Sequence, residues 1–188
     1  MKKLASILFL VGAIATARAT TVIPPSFDQL VSQAETIFEG SVTNVRSEWT
    51  GEGAQRYIVS YITFKVDDSI KGDPGQNYVM RMMGGTVGEE TMGVSDAPKF
   101  SVGQHEILFV ENNGTQFIPL VGIMHGRFHL EADDTGTEIV KLNDGTPLAS
   151  VAQVGKERTA KQAERPMTAQ SFKDNVRQTL AAQSGAAR

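Results

Sequence analysis

Apolar and polar residues alternate through the first half of the chain with the two-residue period of β-strands. The segment 56–72 shows this most clearly, with Ile58, Ile62 and Phe64 on one face and mainly β-branched or aromatic residues on the other. Because both faces are partly apolar, the pattern suits a curved strand of a small barrel. Similar patterns predict strands at 36–49, 78–85, 100–111 and 116–131, the last broken near Gly122 or Gly126, and a short hairpin at 137–150 around Asn143–Gly145.

Two segments instead show helical spacing. Ser26 followed by Gln29 three residues later is a capping-box pattern, which predicts a helix over 27–34. Thr168 is a candidate N-cap for a second helix over 167–183. The apolar stripes of these helices consist of Phe27, Leu30, Val31 and Ala34 in the first, and of Phe172, Val176 and Leu180 in the second.

Together these elements predict a mainly β fold, an OB-like small barrel with a short N-terminal helix and a C-terminal amphipathic helix. A β-sandwich is the alternative, and it would require the strands to split into two sheets. The barrel domain is expected at 20–150, followed by a polar linker at 151–166, the helix at 167–183 and a disordered tail at 184–188.

The first nineteen residues have the pattern of a cleavable export signal. Lys2 and Lys3 precede a short apolar run at 4–15, and Ala17–Ala19 fits a small-x-small cleavage site. An uncleaved N-terminal anchor is the alternative. Because no second apolar run follows, the mature protein is expected to be secreted or periplasmic, without a membrane span.

Composition excludes several kinds of chemistry. The chain contains no cysteine, so disulfides, cysteine-ligated zinc and iron–sulfur clusters are excluded. The net charge is −3, and cleavage after residue 19 would make it about −6, because Lys2, Lys3 and Arg18 would leave with no acid. A mildly acidic protein is not expected to bind nucleic acid through a broad electrostatic contact.

The glycine-rich segment 83–100 interrupts the strand pattern. It does not fit a phosphate-binding loop, because Glu89 and Glu90 stand where such a loop needs a lysine and a hydroxyl. It is interpreted as a long connector between two strands, with a recognition loop as the alternative. Gly84 or Gly85, at the end of the preceding strand, is expected to need a positive φ angle.

The three histidines form no familiar catalytic or metal motif. His125 and His129 are four residues apart, but on a strand this spacing separates them by about 13 Å, too far for one metal ion. His105 follows a turn and has no nucleophile beside it in the sequence. No catalytic, cofactor-binding or metal-ligating residue is therefore assigned, and no cofactor is expected.

Trp49 is the only tryptophan and ends the first predicted strand. It is interpreted as a cap on the barrel core, with a ligand-facing rim position as the alternative. Near the aromatic residues Tyr57, Tyr61 and Phe64, only Arg56 and Lys65 carry positive charge. This is too little positive charge for a nucleic-acid-binding OB face.

Several stretches of the chain resemble a family of uncharacterised secreted bacterial proteins. They are FDQLVSQAETIFEGSV at 27–42, FKVDDSIKG at 64–72, GGTVG at 84–88, APKFSVGQHEILFV at 97–110, VGIMHGRFHL at 121–130 and MTAQSFKDNV at 167–176. The resemblance covers most of the mature chain. It implies no particular chemistry.

A more distant similarity is to the netrin-like OB barrel of tissue inhibitors of metalloproteinases. It rests on the stretch AETIFEGSV, followed by a long second strand that ends in IKG. That resemblance implies an OB-like fold. Those inhibitors chelate the protease zinc through the amine and carbonyl of an N-terminal cysteine. Thr20 would occupy that place in this chain.

These observations lead to three expectations about function. The leading hypothesis is an exported, non-enzymatic binding module for a protein or small ligand of the cell envelope. Its candidate contact residues are Trp49, Glu89, Glu90 and His125. The alternatives are an inhibitor or accessory protein of an exported metalloprotease, and a hydrolase that uses His105 or His125 with nearby carboxylates.

Overall fold

The computed structural model describes residues 24–95, 97–156 and 165–186. The fold is mainly β, as predicted. The helices are α1 (Phe27–Gln33) and α2 (Ala169–Ala186), with short 3-10 turns at Gly53–Gln55 and Val151–Gln153. The strands are β1 (Thr36–Thr50), β2 (Tyr57–Lys71), β3 (Asn77–Met83), β4 (Gly85–Val87), β5 (Glu90–Met92), β6 (His105–Val110), β7 (Arg127–Ala132) and β8 (Glu138–Leu142).

Six of the strands form one antiparallel sheet in the order β3-β2-β1-β6-β7-β8, and β4 pairs with β5 in a separate hairpin. The long strands β1 and β2 bend, since their register shifts at three places between Ile37 and Asn44. Among the described strands β3 does not pair with β8, so strand pairing does not close this sheet into a complete barrel.

Both outer edges of this sheet are covered. Asn113 accepts a hydrogen bond from the backbone N–H of Arg81 (3.0 Å) and donates one to the carbonyl of Val79 (2.8 Å) along β3. At the other edge, Val140 of β8 exchanges backbone hydrogen bonds with Met167 and Leu148. These contacts leave neither edge strand open for pairing over those residues.

Each face of the sheet carries an apolar core. The helices cover one face, where the buried residues include Phe27, Leu30, Val31, Ile37, Ile107, Phe109, Phe128, Leu130, Val140, Phe172 and Val176. Loops cover the other face, where the buried residues are Phe38, Val42, Ile62, Phe64, Met80, Met82, Leu108, Val110, Ile118 and Leu120.

The capping box of α1 forms as predicted: Ser26 accepts from the backbone N–H of Gln29 (3.3 Å) and the Gln29 side chain accepts from the N–H of Ser26 (2.8 Å). Thr168 likewise caps α2 by accepting from the N–H of Ser171 (3.2 Å). Phe172 of α2 packs its ring against Phe128, with 4.6 Å between centroids. The C-terminal helix therefore docks on its own sheet.

Several elements of the structure begin or end at other residues than the sequence pattern predicts. The fifth predicted strand, 116–131, is mostly a series of turns, and only Arg127–Ala132 pairs as a strand. Gly122 and Ile123 both have φ angles above +60°, which ends any extended run at that point. Val154 is buried, so part of the segment assigned to the linker packs on the core, whereas 157–164 lies outside the described residues.

Helix α2 continues to Ala186, into the expected tail, because alanine and glutamine there favour helix. Residues 187–188 lie outside the described part of the chain, as do residues 1–23 with the predicted export signal. None of the described helices is both long and apolar enough to cross a bilayer.

Candidate functional site

A cleft of about 510 Å³ lies between the far half of the β1–β2 pair and the glycine-rich segment. We call it the hairpin cleft. Its floor is formed by Val45, Ser47, Ser60, Ile62, Met82 and Met83, and its cover by residues 84–86, 91–94 and 97–101. The segment interpreted as a connector therefore folds back over the sheet as the β4–β5 hairpin.

Glycines allow the hairpin to lie close to the floor. Gly84 and Gly85 both have positive φ angles, 97° and 139°, so the expectation for this end of the segment is confirmed. A Cβ atom on Gly85 would lie 2.3 Å from Ser60 Oγ and 2.4 Å from Ser47 Oγ. Only glycine fits at this approach without displacing those hydroxyls.

A small polar group lies at the centre of the mainly apolar lining. The hydroxyls of Ser47 and Ser60 are 2.9 Å apart, and Ser60 donates to the carbonyl of Gly84 (2.7 Å). Among the described lining residues, Lys99 is the one with a charged side chain. Met82, Met83 and Met92 add flexible thioether side chains that can adapt to an apolar ligand.

Phe100, at one end of the cleft, is held by a buried ion pair. Its ring packs edge-on against Phe64 at 5.6 Å, and the Arg127 guanidinium stacks over it at 4.2 Å. Arg127 donates to both carboxylate oxygens of Glu106 (2.8 and 3.3 Å), and both side chains are almost completely buried. Because such a pair is costly to break, it keeps Phe100 in a defined position.

A second group of polar side chains lies on the opposite face of the sheet, and we call it the His105 cluster. His105 Nδ1 is 2.7 Å from Glu138 Oε1, and Nε2 is 3.2 Å from Glu39 Oε1, outside the angular range of a hydrogen bond. Lys173 of α2 pairs with Glu39 and, at 3.1 Å, with Asp68. The cluster thus ties β1, β2, β6, β8 and α2 together.

The electrostatics of this cluster favour a protonated imidazole. The carboxylates of Glu39 and Glu138 raise the pKa of His105 to about 9, outweighing the effect of burial. His105 in turn is the main cause of a lowered pKa at Glu39. The imidazolium is therefore a structural cation that bridges two strands.

Glu39, His105 and Glu138 are also candidates for a metal site. Their ligand atoms lie within 4.8 Å of one another. However, the two carboxylates approach opposite ring nitrogens, and a metal ion would bind only one of these. The ammonium of Lys173 on Glu39 opposes a further cation, so the arrangement fits an ion-pair network better than a metal site.

A smaller cavity of about 360 Å³ contains His125, and we call it the His125 cavity. Met124, Arg127, Asn143 and Lys156 are among its other lining residues. Burial lowers the pKa of His125 and so favours the neutral form of its imidazole. The side chain forms no hydrogen bond with any other residue that the structure describes.

The four candidate contact residues do not converge. Glu89 and Glu90 are exposed at the turn of the hairpin and do not line the cleft, whereas His125 lies in its own cavity. Trp49 lies two residues beyond Ser47 on the same face of β1, half-buried under the Arg56 guanidinium at 4.1 Å. Sequence reasoning missed Ser47 and Ser60, which meet only through the β1–β2 register.

Comparisons of the chain with models of protein families, with curated proteins and with solved structures find no match.

Proposed function

We propose that the protein is a non-enzymatic binding module that holds a small, mainly apolar ligand in the hairpin cleft. The observation that carries the proposal is the cleft, with its volume of about 510 Å³ and its largely apolar lining. Clefts of roughly 300–1,000 Å³ with a few polar groups are typical of small-molecule sites. Aliphatic, thioether and aromatic side chains would bind the apolar body of the ligand.

The polar groups of the cleft restrict the chemistry of the ligand. Ser60 donates its single proton to the carbonyl of Gly84, so Ser47 is the donor in the bond between the two serines and can only accept from a ligand hydroxyl or amide N–H. The ammonium of Lys99 at the cleft could pair with a carboxylate. We therefore expect an amphiphile with an apolar body and a single hydroxyl or carboxyl end.

The alternatives have less support. Ser41, the hydroxyl side chain paired with His105 across the sheet, donates to Asp67 (3.2 Å), so no hydroxyl–imidazole pair forms there. A hydrolase would need such a pair or an equivalent nucleophile. The metalloprotease inhibitor hypothesis depends on Thr20, which lies outside the described residues, and no observation favours it.

Two broader expectations belong to the same proposal. Export rests on the predicted signal at 1–19, so the ligand would be met in the cell envelope or outside the cell. An OB-like relationship is supported by the long, bent β1–β2 pair and by the order in which β1 pairs with β2 and β6.

Two matched valine substitutions test the proposal. Val94 lines the cleft, whereas Val102, in the same loop region, is 65% exposed and does not line it. Val94→Trp should fill the cleft and abolish saturable binding of the anionic amphiphilic dye 1-anilinonaphthalene-8-sulfonate, while Val102→Trp should bind like the wild type. Circular-dichroism melts would verify that both variants fold.

The same variants identify a natural ligand. Native mass spectrometry of protein purified from cell envelopes should find a small molecule on the wild type and Val102→Trp, and none on folded Val94→Trp. Absence of both dye and small molecule from the wild type would reject the proposal. Equal binding by the two variants would also reject it.

A further inference from the structure

The far half of β1 has an uncovered edge. From Thr36 to Ser41 the strand pairs with β6 on one side, and along nearly its whole length it pairs with β2 on the other. Between Thr43 and Thr50 the side away from β2 forms no backbone hydrogen bond with any described residue. Since the β3 and β8 edges are covered, this free edge at 43–50 is a place where another strand can add.

Hydrogen bonds elsewhere in the sheet show which groups point outward. Gly84 N donates to Ile58 O (2.8 Å), so Ile58 directs its backbone groups toward the β3 side. By antiparallel alternation, Tyr57, Val59 and Tyr61 direct theirs toward β1. The register pairs these three with Thr50, Glu48 and Arg46, which are therefore bonded to β2.

The intervening residues of β1 must then direct their backbone groups away from β2. They are Val45, Ser47 and Trp49, with Val45 and Ser47 also lining the hairpin cleft. The free edge thus offers three residues whose N–H and C=O groups can pair with another strand. Their spacing of two is that of an ordinary antiparallel ladder.

The sequence of this edge is complementary to itself in one register. If two copies pair antiparallel about Ser47, Val45 faces the partner's Trp49, and both residues present outward backbone groups. Arg46 then faces the partner's Glu48. A shift of the centre to residue 46 or 48 would instead place two arginines or two glutamates opposite each other. Opposite charges stabilise cross-strand pairs and like charges destabilise them.

The charged side chains that would favour this register are exposed to solvent. Arg46 and Glu48 are 55% and 42% exposed and pair with each other within the chain. In the symmetric arrangement each would gain a second partner of opposite charge. We infer that the free edge of β1 is a self-association surface, through which two copies of the chain form a two-fold dimer with a continuous sheet. This inference does not depend on whether the hairpin cleft binds a ligand.

Charge variants test the register. Sedimentation velocity over a concentration series, on protein purified from cells that express the full chain, should show a monomer–dimer equilibrium for the wild type. Arg46→Glu alone and Glu48→Arg alone should each weaken dimerisation about tenfold or more, since each homodimer then juxtaposes like charges. Mixing the two variants should restore a heterodimer, because the opposed strands again carry opposite charges.

A proline substitution tests independently whether backbone hydrogen bonds along this edge hold the dimer together. Val45→Pro removes an outward N–H and should abolish dimerisation, whereas Val45→Ala removes the same side chain, keeps the N–H and should still dimerise. A wild type that stays monomeric at every concentration overturns the inference, even if it captures a foreign peptide along this edge. Dimers unaffected by both charge variants, or single variants that fold but do not recombine, overturn it as well.

Discussion

Gly85 lies directly on Ser47, although the two residues are far apart in the sequence. A Cβ atom added to Gly85 would lie 2.4 Å from Ser47 Oγ, and the φ angle of Gly85 is +139°. The hairpin therefore rests on β1 through a contact that has no room for a side chain. This contact sets the depth of the hairpin cleft and decides what can enter it.

Gly85→Val should destabilise the protein by about 2–4 kcal/mol, because it combines a strained φ angle with overlap against two serine hydroxyls. Gly93→Ala is the matched control, since its φ angle is not positive and nothing lies within 4 Å of an added Cβ. Urea unfolding measures both. Equal stability of the two variants would show that the hairpin can move away from Ser47 at no cost.

Replacing Glu89 and Glu90 with glutamine should change the free energy of unfolding by no more than about 0.5 kcal/mol, as at other exposed sites. Both residues are exposed at the turn and neither lines the cleft, so binding of 1-anilinonaphthalene-8-sulfonate should also be unchanged. Thermal melts and dye titrations provide the two readouts. Weaker binding at an unchanged melting temperature would assign the turn itself to recognition.

The raised pKa of His105 predicts that the protein loses stability in alkaline solution. Its pKa is about 9 in the folded protein and about 6.5 in an unfolded chain. The stabilisation by the imidazolium is therefore fully present below about pH 6.5 and is lost as the pH rises through 9. With allowance for partial exposure, we expect a loss of about 1–2 kcal/mol, which His105→Gln should remove from the pH profile.

His125 is a control, because its titration should change the stability in the opposite direction with pH. Burial lowers its pKa, so the neutral form is favoured and its stabilisation is present above about pH 6.5 and lost as the pH falls through the folded value. His125→Gln should therefore flatten the acid side of the profile and leave the alkaline side unchanged. Urea unfolding from pH 5 to 10 measures both effects. An alkaline limb that persists in His105→Gln would assign it to another group.

Phe172→Ala should cost about 3–5 kcal/mol, because this fully buried ring also contacts Phe27 and Phe109. Leu180→Ala, two stripe positions further along α2 and only partly buried, should cost about 1 kcal/mol. Urea unfolding compares the two. Similar small losses would mean that the helix is not docked through Phe172 in solution.

Local features of the fold could be predicted from the sequence. The Ser26–Gln29 capping box, the Thr168 N-cap and the long strands around Ile58 depend on residues within a few positions of each other. The need for a positive φ angle at Gly84 or Gly85 could be predicted for the same reason. The strand predicted near Ile123 is wrong, because the apolar pattern there does not reveal a residue with a left-handed backbone conformation.

The candidate site could not be predicted, because its contacts are distant in sequence. Ser47 meets Ser60 only in the register that the β1–β2 bulges define, and His105 meets Glu138 only after the chain has passed through β7. Sequence periodicity shows which face a residue occupies, but not which strand lies beside it. The recognition-loop interpretation of the glycine-rich segment points to Glu89 and Glu90, whereas the cleft is lined mainly by apolar and small residues.

The methyl groups of the methionines offer the most direct measurement of ligand binding in the hairpin cleft. Met82, Met83 and Met92 line this cleft, Met124 lines the His125 cavity, and Met167 packs near α2. In a titration of ¹³C-methyl-labelled protein with 1-anilinonaphthalene-8-sulfonate, the first three resonances should shift together and show intermolecular contacts with the dye, while the other two stay fixed. Shifts confined to Met124 or Met167, or no shift at any methyl, would contradict the account.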